Sequence, residues 1–358
     1  MTGPPAISAA DAALPVAPMP ESFWATVFRR VRYVAAVGIS AVLFGTLGWR
    51  IAAPPADYAG VSLTVWPGHH ALLELVGLAV ILLVATGISA LICHPDSPHQ
   101  GLWCASLGLV ALSARGGKIF TIIKYSQVDA ATYGSTCRLL AVECIHWTVL
   151  FLLAEAFARF LHDQFFANTR WITRHSQEVG AMMARAVETG DRDSHARRLA
   201  SGKAGAAGGG AMGVSEQVSS ALGTGKLRGP VSGVLAVAVN AVLAMLFLLI
   251  LLQSQAKGQV VVAIFVSFFL STLCSYMAFP TVPAVVQFAA VPVTAAVGYL
   301  YASAYPGLTG AMAYPGHPAI FFARALPIDY FAAGVPGAIS GFYTAFHWAL
   351  QSHEGEKG

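Results

Sequence analysis

Two short spacings in this sequence bring together side chains that do chemistry. Glu143-x-x-His146 sets a carboxylate and an imidazole on one helical face at i, i+3, the arrangement of carboxylate-bridged metal sites. His70-x-x-x-Glu74 does the same at i, i+4. Together the four side chains could ligate a zinc, iron or copper ion. The pattern is unspecific, because a dinuclear site of that kind needs a second Glu-x-x-His unit and this chain has one. Arg115 and Lys118 also compete with a cation for the same carboxylates.

Two further readings stand beside the metal site. Glu74 and Glu143 balance Arg115 and Lys118 charge for charge, which suits a structural network. Alternatively Glu74, Arg115, Lys118, Glu143 and His146 line a polar cavity for a solute or proton, with Gly116-Gly117 breaking the helix beside it. In that reading the two cations attract an anionic group while Glu143 and His146 handle protons. No resident cofactor is required by any motif. No phosphate-binding Gly-rich loop with Lys-Ser/Thr, no Gly-x-Ser-x-Gly and no His-Glu-x-x-His occurs.

What must position these groups is a membrane bundle. Of 358 residues, 56% are apolar and only 11% charged, with mean hydropathy +0.64, whereas soluble domains carry about 25% charged residues. That composition excludes an ordinary soluble enzyme and a nucleic-acid binder. Apolar runs long enough to span lie near 34–51, 71–93, 139–160, 231–252, 259–279 and 284–304. Two more, 102–125 and 331–350, are less regular; the first contains Arg115 and Lys118, and Gly334-Val-Pro-Gly337 interrupts the second. The expected fold is therefore all-α, a polytopic transmembrane bundle of about eight spans, seven if one run fails to cross.

Charge arranges the chain. The stretch 162–229 carries nine Lys/Arg against six Asp/Glu, and Arg29, Arg30 and Arg32 precede the first run. Basic segments stay in the cytoplasm, so both termini are expected there, with 14 Lys/Arg inside and 7 outside or in the outer third. This threading divides the chain into an N-terminal tail (1–30), a four-span group (31–161), a cytoplasmic loop (162–229), a second four-span group (230–350) and a short C-terminal tail. It also puts His69, His70, Glu74, Arg115, Lys118, Glu143 and His146 in one outer layer. Abundant Ala and Gly with few Lys suggests a GC-rich bacterial genome and hence the plasma membrane.

Besides the bilayer, an amphipathic helix over 163–200 could dock a cytoplasmic protein, and self-association into a homo-oligomer is open. Three functions follow. A permease-like carrier of a small solute or ion leads, ahead of a non-catalytic membrane subunit and a His/Glu metalloenzyme. Elsewhere, Glu155 and Arg159 read as a local ion pair, Asn240 and Gln287 as interhelical hydrogen-bonders, and the 94–99 turn as solvated. The loop 305–330 offers His317, Arg324 or Asp329 as caps to the outer layer. The five cysteines read as small buried apolar residues, with no disulfide or zinc framework.

Overall fold

The computed structural model describes residues 23–52, 71–94, 96–116, 130–166, 230–254, 256–280, 282, 284–305 and 321–355. His70, Lys118, His317 and the amphipathic stretch 163–200 beyond its first turn lie outside them. Among the described residues there is no strand, and the long elements are helices. α1 is Phe23–Leu43, prolonged by a π-helical turn (Phe44–Gly48) and a last α turn (Trp49–Ala52). α2 is Ala71–Cys93, α3 Pro98–Arg115, α4 Ala130–Leu161, α5 Pro230–Leu251 and α6 Lys257–Ala278. α7 is broken at Ala289 into Ala284–Phe288 and Ala290–Ala304. α8 starts at Pro327–Asp329, passes through a π-helical turn (Tyr330–Gly334) and ends as Val335–Gly355.

Six of these, α1, α2, α4, α5, α6 and α7, are long and apolar enough to cross a membrane. Their outer faces match that role. On α5, Val231, Val234, Val242, Leu246, Leu249 and Ile250 are all exposed, a surface suited to acyl chains. α3 and α8 fall outside that set, and their surroundings give the reason. α3 packs against α1, α2, α4 and α8, and Ala325–Ile339, the lead-in and first turns of α8, is wholly buried. A helix enclosed by other helices meets protein rather than lipid, so it can carry Ser, Gly and charge.

Interior contacts show how closely the helices approach. A Cβ on Gly337 or Gly341 would collide with the carbonyl oxygen of Phe265 or Phe269, so this Gly-x-x-x-Gly seats α8 directly on the backbone of α6. The first and last four helices do not form separate halves, because α4 packs more extensively on α7 than on α2 or α3.

Hydrogen bonds and ion pairs define the two ends. At one, Arg29, Arg32 and Tyr33 of α1 meet the 94–97 turn, Tyr343 of α8 meets Ser97, and His99 meets Glu155 near the end of α4. At the other, Asp329 at the start of α8 meets Lys257 at the start of α6 and Ser113 near the end of α3. Successive helices therefore alternate in direction. We call these the clasp end and the ion-pair end.

Two starts differ from the sequence expectation. α1 begins at Phe23, so Arg29, Arg30 and Arg32 ride on the helix instead of preceding it. α4 begins at Ala130 rather than near 139, which sets Glu143 about 20 Å along the helix at 1.5 Å per residue, deeper than its first two turns.

Candidate polar site at the ion-pair end

The local sequence explains why Asp329 sits where it does. Leu326 has extended backbone, Pro327 occupies the first helical position, and Asp329 follows two residues on. Proline suits that position because its missing N–H would have no helical acceptor. The Asp329 carboxylate accepts the Leu326 N–H at 2.8 Å, so it caps the turn and benefits from the helix dipole. Lys257 is the opposite case. A cation on the first residue of α6 is disfavoured by that helix's own dipole.

The two groups resolve each other. Lys257 Nζ donates to Asp329 Oδ1 at 2.7 Å and to Oδ2 at 2.9 Å, and the Ser113 hydroxyl donates to Oδ1. Asp329 is 1% exposed. One carboxylate thus joins α3, α6 and α8, with the π-helical turn Tyr330–Gly334 directly after it. Such wide turns leave backbone groups irregularly paired and recur at functional positions. The strap leading into α8 is held by neighbouring tyrosines: Tyr299 OH donates to the Ala325 carbonyl at 2.7 Å, and Tyr330 OH to that of Phe322 at 2.8 Å. Arg324 donates to the Leu252 carbonyl at 3.0 Å, fixing the strap to the end of α5.

Glu143 adjoins this region. It is 1% exposed, and its Oε1 accepts the Trp147 indole N–H at 3.2 Å. Trp147 in turn stacks on Phe331 of the π-helical turn, with ring centroids 6.2 Å apart. Its expected companions are elsewhere. His146 is partly exposed and its Nδ1–H donates to the Val142 carbonyl of its own helix at 3.1 Å. Arg115 turns to α1, donating to the Gly45 carbonyl inside the π-helical turn and lying 5.1 Å over the Trp49 ring. Glu74 is half-buried in the first turn of α2. Among the described residues no three His, Cys, Asp or Glu side chains gather as metal ligands would. No family model, curated protein or solved structure matches the chain.

The clasp end is built differently. Asp96 accepts the Tyr33 hydroxyl at 2.8 Å and lies 3.8 Å from both Arg29 and Arg32, while Arg32 also donates to the His94 carbonyl. Burial, with His162 and Arg32 nearby, holds the His94 imidazole below its ordinary pKa, so at neutral pH it adds no cation here. Glu155 takes Arg159 and His99, each at 2.8 Å. The local ion pair read from i, i+4 spacing is present, but it extends to α3. The 94–99 turn, expected to be solvated, is partly exposed and also a junction of α1, α3, α4 and α8.

Between the ends runs a neutral network. Asn240 Nδ2 donates to Thr272 Oγ1 at 3.0 Å and to the Gln287 carbonyl at 3.1 Å, and the Ser275 hydroxyl reaches Gln287 Oε1 at 3.1 Å. This is the interhelical bonding expected of Asn240 and Gln287, joining α5, α6 and α7. The break at Ala289 follows at once, and Pro292 has no N–H to give the Phe288 carbonyl.

Sequence reading missed Lys257 altogether and treated Asp329 as one of three loop caps. A signal was present. Asp329 is the sole acidic residue in 230–350, and Lys257 and Arg324 are the sole lysine and arginine. In so apolar a stretch a lone acid is expected to seek one of the few cations present.

Proposed function

We propose that all eight helices cross the bilayer of the plasma membrane, with both termini and the clasp end cytoplasmic. We further propose that the protein is a permease-like carrier of a small solute or ion, gated at its outer end. The observation that carries this reading is the Lys257–Asp329 pair, sealed to 1% exposure of its carboxylate where three helices meet beside a π-helical turn. Breaking the Lys257–Asp329 contact would free α6 and α8 to part. Glu143, buried near the same turn, supplies a second carboxylate along the interior. In this arrangement the ion pair closes one end and the clasp the other, which corresponds to the occluded state between the two open states of alternating access.

A second reading has its own observation. Asp329 receives Ser113, Lys257 and the Leu326 N–H together, so the carboxylate is satisfied as it stands, and a fully bonded group suits a rigid subunit. Such a subunit would dock its partner through 163–200.

One experiment separates them. Purified protein is reconstituted into vesicles loaded with pyranine and challenged with alkali chlorides, phosphate, amino acids and small carboxylic acids, reading internal pH. A carrier moves internal pH with at least one solute faster than protein-free vesicles, and the neutral pair Lys257→Met/Asp329→Asn slows this at least tenfold while remaining monodisperse. Vesicles indistinguishable from protein-free ones for every solute would overturn the carrier reading. Loss of a co-purifying protein on deleting 163–200 would then establish the subunit.

A further inference from the structure

α2 ends at Cys93, and α3 carries Cys104 on its second turn. Their sulfurs lie 3.6 Å apart, both thiols are free, and the residues are 2% and 0% exposed. The remaining cysteines offer no comparable pair among the described residues. Cys137 and Cys144 share α4 seven residues apart, about 10 Å along its axis, and Cys274 is exposed on α6.

We propose that Cys93 and Cys104 are a redox modification site, a dithiol that closes to a disulfide between α2 and α3 and thereby changes how α1 is seated. A disulfide needs its sulfurs about 2.05 Å apart, so closure draws these two together by roughly 1.5 Å. That movement falls on Cys93, the last residue of a helix beside a turn, where the backbone yields most readily.

The coupling to α1 follows from what surrounds the pair. Cys93, Cys104 and Ala36 form one buried apolar cluster, with Tyr33, Val37, Ile92 and Trp103 packed against it. Cys104 Sγ lies 4.0 Å from the Tyr33 carbonyl, and the same Tyr33 gives its hydroxyl to Asp96 and sets its ring 6.3 Å from that of Trp103. The two thiols are therefore the floor of the pocket into which α1 docks. Drawing Cys93 toward Cys104 shifts that floor beneath Tyr33 and Ala36.

The chemistry balances with a small disulfide as oxidant. One cysteine thiolate attacks a sulfur of the oxidant, forming a mixed disulfide and expelling one small thiolate. The second cysteine thiolate attacks the protein sulfur of that mixed disulfide and expels the other. Two cysteines are oxidised, one small disulfide is reduced to two thiols, and those thiols take the two protons. On the cytoplasmic side proposed above, ambient thiols keep the pair reduced, so the disulfide is a response to oxidant. That step rests on the proposed orientation, whereas the cross-link itself does not.

The test uses the full chain in lipid nanodiscs, treated with glutathione disulfide or with dithiothreitol, then acid-quenched, denatured and labelled with a polymer-tagged maleimide. Reduced protein takes five labels, one for each cysteine. Oxidised protein is expected to take three, with a peptide spanning the 93–104 link identified by mass spectrometry. Cys93→Ser takes four labels before and after oxidant. Five labels on oxidised wild-type protein, or a loss of labels that persists in Cys93→Ser, would overturn the site. Amide hydrogen exchange over 29–37 is expected to rise on oxidation, and unchanged exchange alongside a formed link would overturn its effect on α1. Both readouts are independent of any transport activity.

Discussion

Asp329 and Asp96 each tie helices together at opposite ends of the bundle, yet the first is 1% exposed and the second keeps a fifth of its side chain in solvent. Asp329 has Lys257 at 2.7 Å with both of its oxygens bonded, whereas Asp96 has two arginines at 3.8 Å, each itself about a third exposed. Burial, more than the number of charges, is therefore expected to set the strength of a junction. Water screens the clasp and can replace any one of its members. Nothing replaces a partner at the ion pair, so that junction is held or lost as a unit, which is the behaviour expected of a gate or a keystone.

The comparison breaks most decisively at the pair itself. Lys257→Met leaves the buried Asp329 charge without its counterion, at an expected cost of about 3–5 kcal/mol, and Asp329→Asn leaves Lys257, whose side chain is 14% exposed, at a smaller cost. The double substitution removes both charges and is expected to recover most of that loss, since replacing both members of a buried pair is often close to neutral. Unfolding of the two single variants, the double and the wild type in one detergent closes the cycle. Additive losses would show that Lys257 and Asp329 act independently, and the contrast with Asp96 would then collapse.

Asn240 asks whether burial alone produces this behaviour or whether charge is needed. It is as deeply buried as Asp329 and joins three helices as well, but without charge. Asn240→Ala is expected to cost about 0.6–2 kcal/mol, the range of interhelical hydrogen bonds in membranes. A loss matching that of a single variant at the ion pair would make depth the controlling quantity.

Much of this architecture was legible from composition. Six apolar runs became six helices able to cross, near the expected positions, because a span in lipid must be long, apolar and helical. The Glu155–Arg159 pair and the Asn240–Gln287 bridge were legible as well, the first from local spacing and the second from polar groups stranded among apolar ones. The ends of α1 and α4 were not, since a helix continues past its apolar stretch wherever its backbone still bonds and its flanks are polar. The central site was hidden for a different reason. Lys257 and Asp329 are separated by 72 residues, and neither lies in the region where most of the buried charge in the sequence is concentrated. Arg115 misled because its strongest partners are a backbone carbonyl opened by a π-helical turn and the face of Trp49, and no spacing rule reports either.

The smallest effect sharpens the contrast best, because it depends on solvent. Asp96→Asn keeps an oxygen to accept the Tyr33 hydroxyl but removes the attraction to Arg29 and Arg32. The expected loss is no more than about 1 kcal/mol, as for other partly exposed ion pairs. Raising salt to 1 M shortens the screening length to about 3 Å, less than the 3.8 Å separating these charges, so wild type and variant should converge there. The ion pair, with its carboxylate out of contact with water, should show no such convergence between wild type and Asp329→Asn. Should Asp96→Asn cost as much in high salt as in low, the clasp would be sealed from solvent like the other end, and closure at both ends would rest on desolvated charge.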